Sequence, residues 1–288
     1  MERKNVRNVA IIAHVDHGKT TLVDGLLKSA GIFRENQAVD DRVMDSDDIE
    51  KERGITILSK NTAVDYNGYK INIIDTPGHA DFGGEVERDL GMADGAILVI
   101  DSFEGPMPQT KFVLGKAFDH KLPLIICINK IDRPDARIEA VKDELLDLLL
   151  QMDADEEYLD SPTIYASAKS GFAVENLDDE KVDMRPLLDT IVKLIPEPSG
   201  EIEKPFKLLI STTDYSEYVG KIGIGKIDSG RVHKGDNLYL VNYTKPDFKK
   251  KIHLSEVFEF EGLKRVEVES SSVGNLVAVT GIDDLSIG

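Results

Sequence analysis

Residues Ala13 to Thr21 read AHVDHGKTT. They meet the phosphate-loop pattern G-x-x-x-x-G-K-[ST] at Gly18, Lys19 and Thr20, with Ala13 in the first position. In such a loop the backbone N–H groups, together with those of the helix it opens, point at anionic oxygens. Gly18 lets the backbone approach closely, Lys19 puts a point charge on β- and γ-phosphates, and Thr20 offers a hydroxyl to Mg²⁺. The candidate contacts are Asp16, His17, Gly18, Lys19, Thr20 and Thr21. Alanine at the first position departs from the pattern, because it resists positive φ. A Gly-Lys-Thr turn without a ligand is the bland alternative, so this loop does not decide the matter alone.

Three further stretches narrow the chemistry. DTPGH, Asp75 to His79, follows a strand-like run. Its aspartate can hold a Mg²⁺-bound water, and Gly78 can offer its N–H to a γ-phosphate. NKID, Asn129 to Asp132, follows an apolar run. The Asp132 carboxylate can accept two hydrogen bonds from guanine, at N1–H and the exocyclic amine. Adenine lacks that pair, and a buried carboxylate left without partners is strongly disfavoured. SAK, at Ser167, Ala168 and Lys169, follows the next strand and can close a base pocket around Asn129, Lys130 and Asp132. NKID alone is more often a surface turn. The four stretches in this order, each after a strand, form a specific set, because ligands of open α/β sheets bind at the C-terminal ends of the strands.

The positioning elements are legible from pattern. NVAIIA reads as a buried strand and TTLVDGLLKSAG as a helix closed by Gly31. Residues 32–60 are polar and without period and read as a long functional loop. NTAVDY and YKINIID flank Asn67-Gly68, a hairpin signal. GAILVID and LPLIICIN are continuous apolar runs, as strands covered on both faces require. PQTKFVLGKAFDH, ARIEAVKDELLDLLLQM and RPLLDTIVKLI have helical spacing. Alternation of these runs predicts an α/β fold, a doubly wound P-loop domain over residues 1–197. Residues 198–204 lie in a proline-punctuated linker. Residues 205–288 hold FKLLIST, KIGIGKI, NLYLVNY, KKIHLSEVF and NLVAVTG, which predict a small all-β barrel domain. The chain ends just past IDDL, so the barrel is expected to be truncated at its C-terminal end.

Composition sets outer bounds. The chain has 288 residues, 41% hydrophobic and 31% charged, an ordinary globular balance. No apolar run approaches a membrane span, and the N-terminus lacks an apolar leader segment. One cysteine, Cys127, sits in an apolar run and reads as a small core residue. A reducing, cytoplasmic setting fits. The net charge of −18 falls unevenly: −5 over residues 1–134, −12 over 135–204 and −1 over 205–288. That balance argues against broad binding of DNA or other polyphosphate chains. The carboxylate pairs around Glu50 and Glu85 are explained by solvated faces, and His120, His233 and His253 have no companion ligands in sequence.

The motifs together resemble the BipA/TypA family of translational GTPases. AHVDHGKTT, RVMDSDDIEKERGITI, DTPGHADFGGEVER, GPMPQT, INKIDRP and YVGKIGIGKIDSGRV carry the resemblance, which runs from about residue 5 to the end. Elongation factor G and LepA share the scheme, but RVMDSDD and DFGGEVER favour BipA/TypA. Alanine in the first loop position is usual among these relatives. The resemblance implies a GTP hydrolase with GTP/GDP and Mg²⁺ as ligands. Thr56 would reach the metal together with Thr20 and Asp75, and His79 would orient the attacking water. Val15 and Ile55 would form an apolar gate before His79, and Asp16 would help hold a monovalent cation. The imidazoles of His14 and His17 are as readily structural. The implied partner is the ribosome, its RNA and proteins, met mainly through domains absent from this chain, in elongation, subunit assembly or stress adaptation. A cytoplasmic monomer with no membrane or DNA partner is expected. The competing reading is a nucleotide-gated interaction module whose hydrolysis is incidental.

Overall fold

The computed structural model describes residues 5–31, 60–77 and 83–288. A seven-stranded sheet organises the first part. Its strands are β1 (Val6–Ala13), β2 (Lys60–Tyr66), β3 (Tyr69–Asp75), β4 (Gly95–Asp101), β5 (Leu124–Asn129), β6 (Thr163–Ser167) and β7 (Phe172–Val174). The order across the sheet is β2-β3-β1-β4-β5-β6-β7, parallel from β3 to β6 and antiparallel at both edges. Every residue of β1 and β4 is buried, as their unbroken apolar runs require of central strands. The β2–β3 turn is Asn67-Gly68 at φ 48° and 80°, the double positive φ that this dipeptide tolerates.

Helices cover both faces. On one side α1 (Lys19–Ser29) and α6 (Arg185–Leu194) bury Leu22, Leu26, Leu188 and Ile191 against Val9, Ile11, Ile97 and Ile125. On the other, α2 (Gly83–Met92), α3 (Pro108–Asp119) and α4 (Ile138–Gln151) bury Val86, Leu90, Leu114 and Leu145 against Ile12, Leu98 and Ile128. A one-turn helix, α5 (Glu156–Leu159), precedes β6. Alternating residues of each central strand thus feed two separate cores, the requirement of a doubly wound sheet.

From residue 205 onward every regular element is a strand: β8 (Lys207–Leu208), β9 (Thr212–Ser216), β10 (Gly220–Ser229), β11 (Arg231–His233), β12 (Asn237–Asn242), β13 (Lys245–His253), β14 (Val257–Glu261), β15 (Lys264–Glu267), β16 (Ser270–Ser272) and β17 (Leu276–Val279). They enclose a core of Ile227, Val232, Leu254, Val257, Val277 and Val279. FKLLIST yields only the two-residue β8 before the chain bends into β9. KKIHLSEVF splits into β13 and β14, because the chain turns from one sheet to another between His253 and Val257. Strands β7, β11, β15 and β16 are too short to show a period in sequence.

The two parts share packed surface. Ile222, Ile224, Phe260, Leu276 and Ala278 of the barrel strands join the core that holds Val86 and Leu90 of α2. Ala63 and Gly262 exchange backbone hydrogen bonds of 2.8 and 3.3 Å across the junction. Two nearly buried ion pairs flank it, Lys70–Glu259 at 2.5 Å and Lys226–Asp94 at 2.8 Å. Asn8 of β1 donates to Asp94 and to the Gly274 carbonyl.

Candidate functional site

The loop His14–Gly18 connects β1 to α1. Asp16 takes φ 65° and Gly18 φ 92°, so the chain turns sharply enough to present the first α1 N–H groups outward. A Cβ on Gly18 would lie 2.4 Å from Asn129 Nδ2, which explains glycine there on packing grounds as well as backbone ones. Lys19 is buried and its ammonium ion-pairs with Oδ1 of the fully buried Asp75 at the end of β3. The second Asp75 oxygen, Oδ2, is buried and has no hydrogen-bond partner among the described residues. Thr76, next in the chain, donates its hydroxyl to the Ile11 carbonyl at 2.8 Å and holds this segment against β1.

Asn129, at the end of β5, fastens two loops at once. Its Nδ2 donates to the His17 carbonyl at 2.9 Å, and its Oδ1 accepts from the Ala168 N–H at 3.0 Å. Lys130 stands in the left-handed region at φ 63°. Its ammonium donates to the Asp16 carbonyl at 2.5 Å and pairs with Asp101 at 2.7 Å. Ser167 is fully buried, and its hydroxyl accepts from the Ser170 N–H, tightening the turn that follows β6. Between these loops lies a cleft of about 660 Å³, walled by Gly18, Thr21 and Gly25 on one side and by Lys130, Asp132 and residues Ser167–Gly171 on the other. Such a volume is ordinary for a cofactor-sized ligand.

Asp132 lines this cleft but is exposed. The rejection of adenine argued from its burial therefore operates only once a base covers the carboxylate. Lys169 is likewise exposed, and Val15 is half-buried. Ile55, Thr56, Gly78 and His79 lie outside the described residues, so the proposed gate, the third metal ligand and the water-orienting group have no geometry here. Asp16, His17, Gly18, Lys19, Thr20, Thr21, Asp75, Asn129, Lys130, Asp132, Ser167 and Ala168 are gathered along one edge of the sheet.

Sequence reading passed over the turn after β4. Asp101 is fully buried and accepts from the N–H groups of Phe103 at 2.7 Å and Glu104 at 3.1 Å. Burial alone would raise its pKa. The hydrogen bonds from Lys130 and from those two N–H groups outweigh it and hold the carboxyl below its ordinary value. Ser102 donates its N–H to the Asn129 carbonyl and its hydroxyl to the Lys130 carbonyl. Glu104 Oε2 lies 3.2 Å from His17 Nε2. The imidazole of His17 is wholly buried with Nδ1 3.3 Å from the Val99 carbonyl, and burial pushes its pKa down. Its ring is therefore a structural strut for the loop, while its carbonyl serves Asn129. The signal available in sequence was an aspartate ending the apolar run AILVI, at the same sheet edge as the other motifs.

Among the described residues no helix is long and apolar enough to cross a membrane. Residues 4–197 match the family described as the elongation factor Tu GTP binding domain. A large ribosomal subunit assembly factor BipA from Synechocystis is 53% identical over 98% of this chain and 47% of its own length. The factor of the same name from Bacillus subtilis is 50% identical over 99% and 46%. The chain thus spans about half the length of these curated relatives. A crystal structure of a bacterial selenocysteine-specific elongation factor, EF-Sec, aligns over 96% of this chain and 42% of its own, with a TM-score of 0.72 at 24% identity, a likeness of fold. The chain belongs to the elongation factor Tu GTP binding domain family.

Proposed function

We propose that this chain binds GTP and GDP in the cleft, hydrolyses GTP, and forms the nucleotide-responsive part of a ribosome-associated factor in the cytoplasm that serves large-subunit assembly. The observation that carries the reading is the double clasp of Asn129, which holds the phosphate loop and the Ala168 turn on either side of a cleft lined by Asp132. Asp132 would accept from guanine N1–H and the exocyclic amine, with Ser167, Ala168 and Lys169 closing the other side of the base. The N–H groups of Gly18 to Thr21 would receive the phosphates at the positive end of α1. Lys19 would exchange Asp75 for phosphate oxygens.

The buried Asp75 Oδ2, without a partner among the described residues, fits a hydrated divalent cation, whose bound water would donate an O–H to it. Thr20 would contribute a hydroxyl to Mg²⁺ and Asp75 a hydrogen bond to its water, with Thr56 completing the set. Bound Mg²⁺ would neutralise charge between the β- and γ-phosphates. Val15 and Ile55 would keep His79 from the attacking water until a partner moves them, and Asp16 would help hold a monovalent cation. The chain's own groups supply position and charge rather than covalent chemistry.

The near-neutral charge of residues 205–288 conceals a polarised face. In the β12–β13 ribbon, Tyr239 pairs with Lys251 and Val241 with Lys249, so these side chains share the outer surface. Tyr239, Val241 and Tyr243 are exposed, and the Lys249 ammonium sits 4.2 Å over the Tyr239 ring. Lys250 instead pairs with Asp284. This ribbon offers ribosomal RNA a basic, aromatic contact that net charge hides.

Calorimetric titration with GTP, GDP and ATP in Mg²⁺ tests the nucleotide reading. Guanine nucleotides are expected to bind and ATP not to bind at comparable concentration. Equal affinity for ATP and GTP would reject it.

A further inference from the structure

We propose that Asp101 is a positioning residue for nucleotide retention, acting through Lys130 to tie the phosphate loop to the base-reading segment. The proposal rests on the nucleotide-binding reading of the cleft. Asp101 Oδ1 is held by the Phe103 and Glu104 N–H groups, so the carboxylate cannot swing away. Its Oδ2 then meets the Lys130 ammonium at 2.7 Å. With its tip fixed, Lys130 reaches across and donates to the Asp16 carbonyl at 2.5 Å. Asp16 and Lys130 both stand at positive φ, near 65° and 63°, a conformation that non-glycine residues hold only with help from their surroundings. The chain Asp101, Lys130, Asp16 therefore spans from the end of β4, past the cleft wall, into the loop that would carry the phosphates.

A second route from Asp101 exists and is weaker. Arg133 Nη1 lies 3.4 Å from Asp101 Oδ2, but its guanidinium already makes two bonds to Asp135, at 2.8 and 2.9 Å, and lies over the Phe103 ring. Arg133 keeps its place without Asp101. Lys130 has no other carboxylate within ion-pair distance among the described residues. In Asp101→Asn, Oδ1 still accepts from Phe103 and Glu104, whereas the amide Nδ2 faces the ammonium donor against donor. The substitution is near-isosteric and aims at the Lys130 contact.

The experiment is a double-mutant cycle on the dissociation rate of a fluorescent GDP, measured by displacement with excess GDP. Asp101→Asn is expected to speed dissociation about 10- to 100-fold, the range of a charge-assisted hydrogen bond. In a Lys130→Met background the same substitution is expected to change the rate less than about threefold, and in an Arg133→Ala background to keep its full effect. Equal acceleration with and without Lys130, or an effect that disappears with Arg133 instead, would overturn the proposal. A thermal melt of each variant accompanies the rates. If Asp101→Asn does not fold, Asp101→Glu serves: it keeps the charge, displaces it by one methylene, and should speed release only while Lys130 is present. A wild-type chain that retains no GDP would sink the nucleotide reading itself, whereas additivity in a chain that does retain GDP sinks only the role of Asp101.

Discussion

Replacing Gly18 with alanine adds one carbon at the point where the phosphate loop touches the base-reading strand. Two costs follow from the geometry. An L side chain at φ 92° meets the left-handed penalty, about 1–2 kcal/mol. The new Cβ would also stand 2.4 Å from Asn129 Nδ2, so the amide must turn or the loop must lift. Either movement breaks the 2.9 Å bond to the His17 carbonyl and strains the 3.0 Å bond from Ala168. Losing one such buried bond costs about 1–3 kcal/mol. The sum is about 2–5 kcal/mol, set against the arrangement that receives nucleotide. A chain without nucleotide can relax the loop and avoid part of it, so affinity should suffer more than stability. GDP affinity by calorimetry is expected to fall about 30-fold or more, with a smaller change in apo melting temperature. Gly31→Ala is the control. Gly31 also has positive φ, 78°, but apart from its chain neighbours no atom of the described residues stands within 4 Å of its would-be Cβ. It should lose some stability and keep GDP affinity. A Gly18→Ala chain that binds GDP within threefold of wild type would refute the argument that this contact organises the site.

Asp132→Asn should weaken GTP binding and admit xanthine nucleotides, whose base carries an oxygen where guanine has its amine; unchanged GTP affinity in a titration would remove Asp132 from the base site. His79→Ala should leave GTP binding nearly intact and lower ribosome-stimulated turnover by about 10²–10⁴-fold, the usual contribution of a group acting on the attacking water; stimulated turnover kept within twofold contradicts that role. Reversing two charges with Lys249→Glu and Lys251→Glu should weaken ribosome co-sedimentation and reduce the slope of log affinity against log salt by about 1.4–1.8, since each lysine–phosphate contact contributes about 0.7–0.9. An unchanged slope would place the RNA contact elsewhere.

Local pattern was enough for the nucleotide-binding fold. The runs NVAIIA, AILVI and LIICI are too apolar for anything but buried central strands, and Asn67-Gly68 specifies its own turn, because these signals depend only on near neighbours in the chain. The candidate motifs AHVDHGKTT, DTPGH, NKID and SAK stood out for the same reason: each follows a strand, where a short spacing pattern places it. Tertiary structure alone decided what joins them. Asp101 lies 29 positions from Lys130, and Gly18 lies 111 from Asn129, and no periodicity connects such pairs. Only the β1-β4-β5 adjacency of the parallel sheet brings their strand ends side by side. The barrel was legible as a class but not strand by strand, because β8, β11 and β16 have two or three residues and owe their conformation to partners far along the chain. Charge shows the same division. Composition fixes a sum near zero for residues 205–288, but the pairing register of β12 with β13 decides that Lys249 and Lys251 share a face with Tyr239 and Val241, since a shift of one residue would turn every side chain of the strand to the other side.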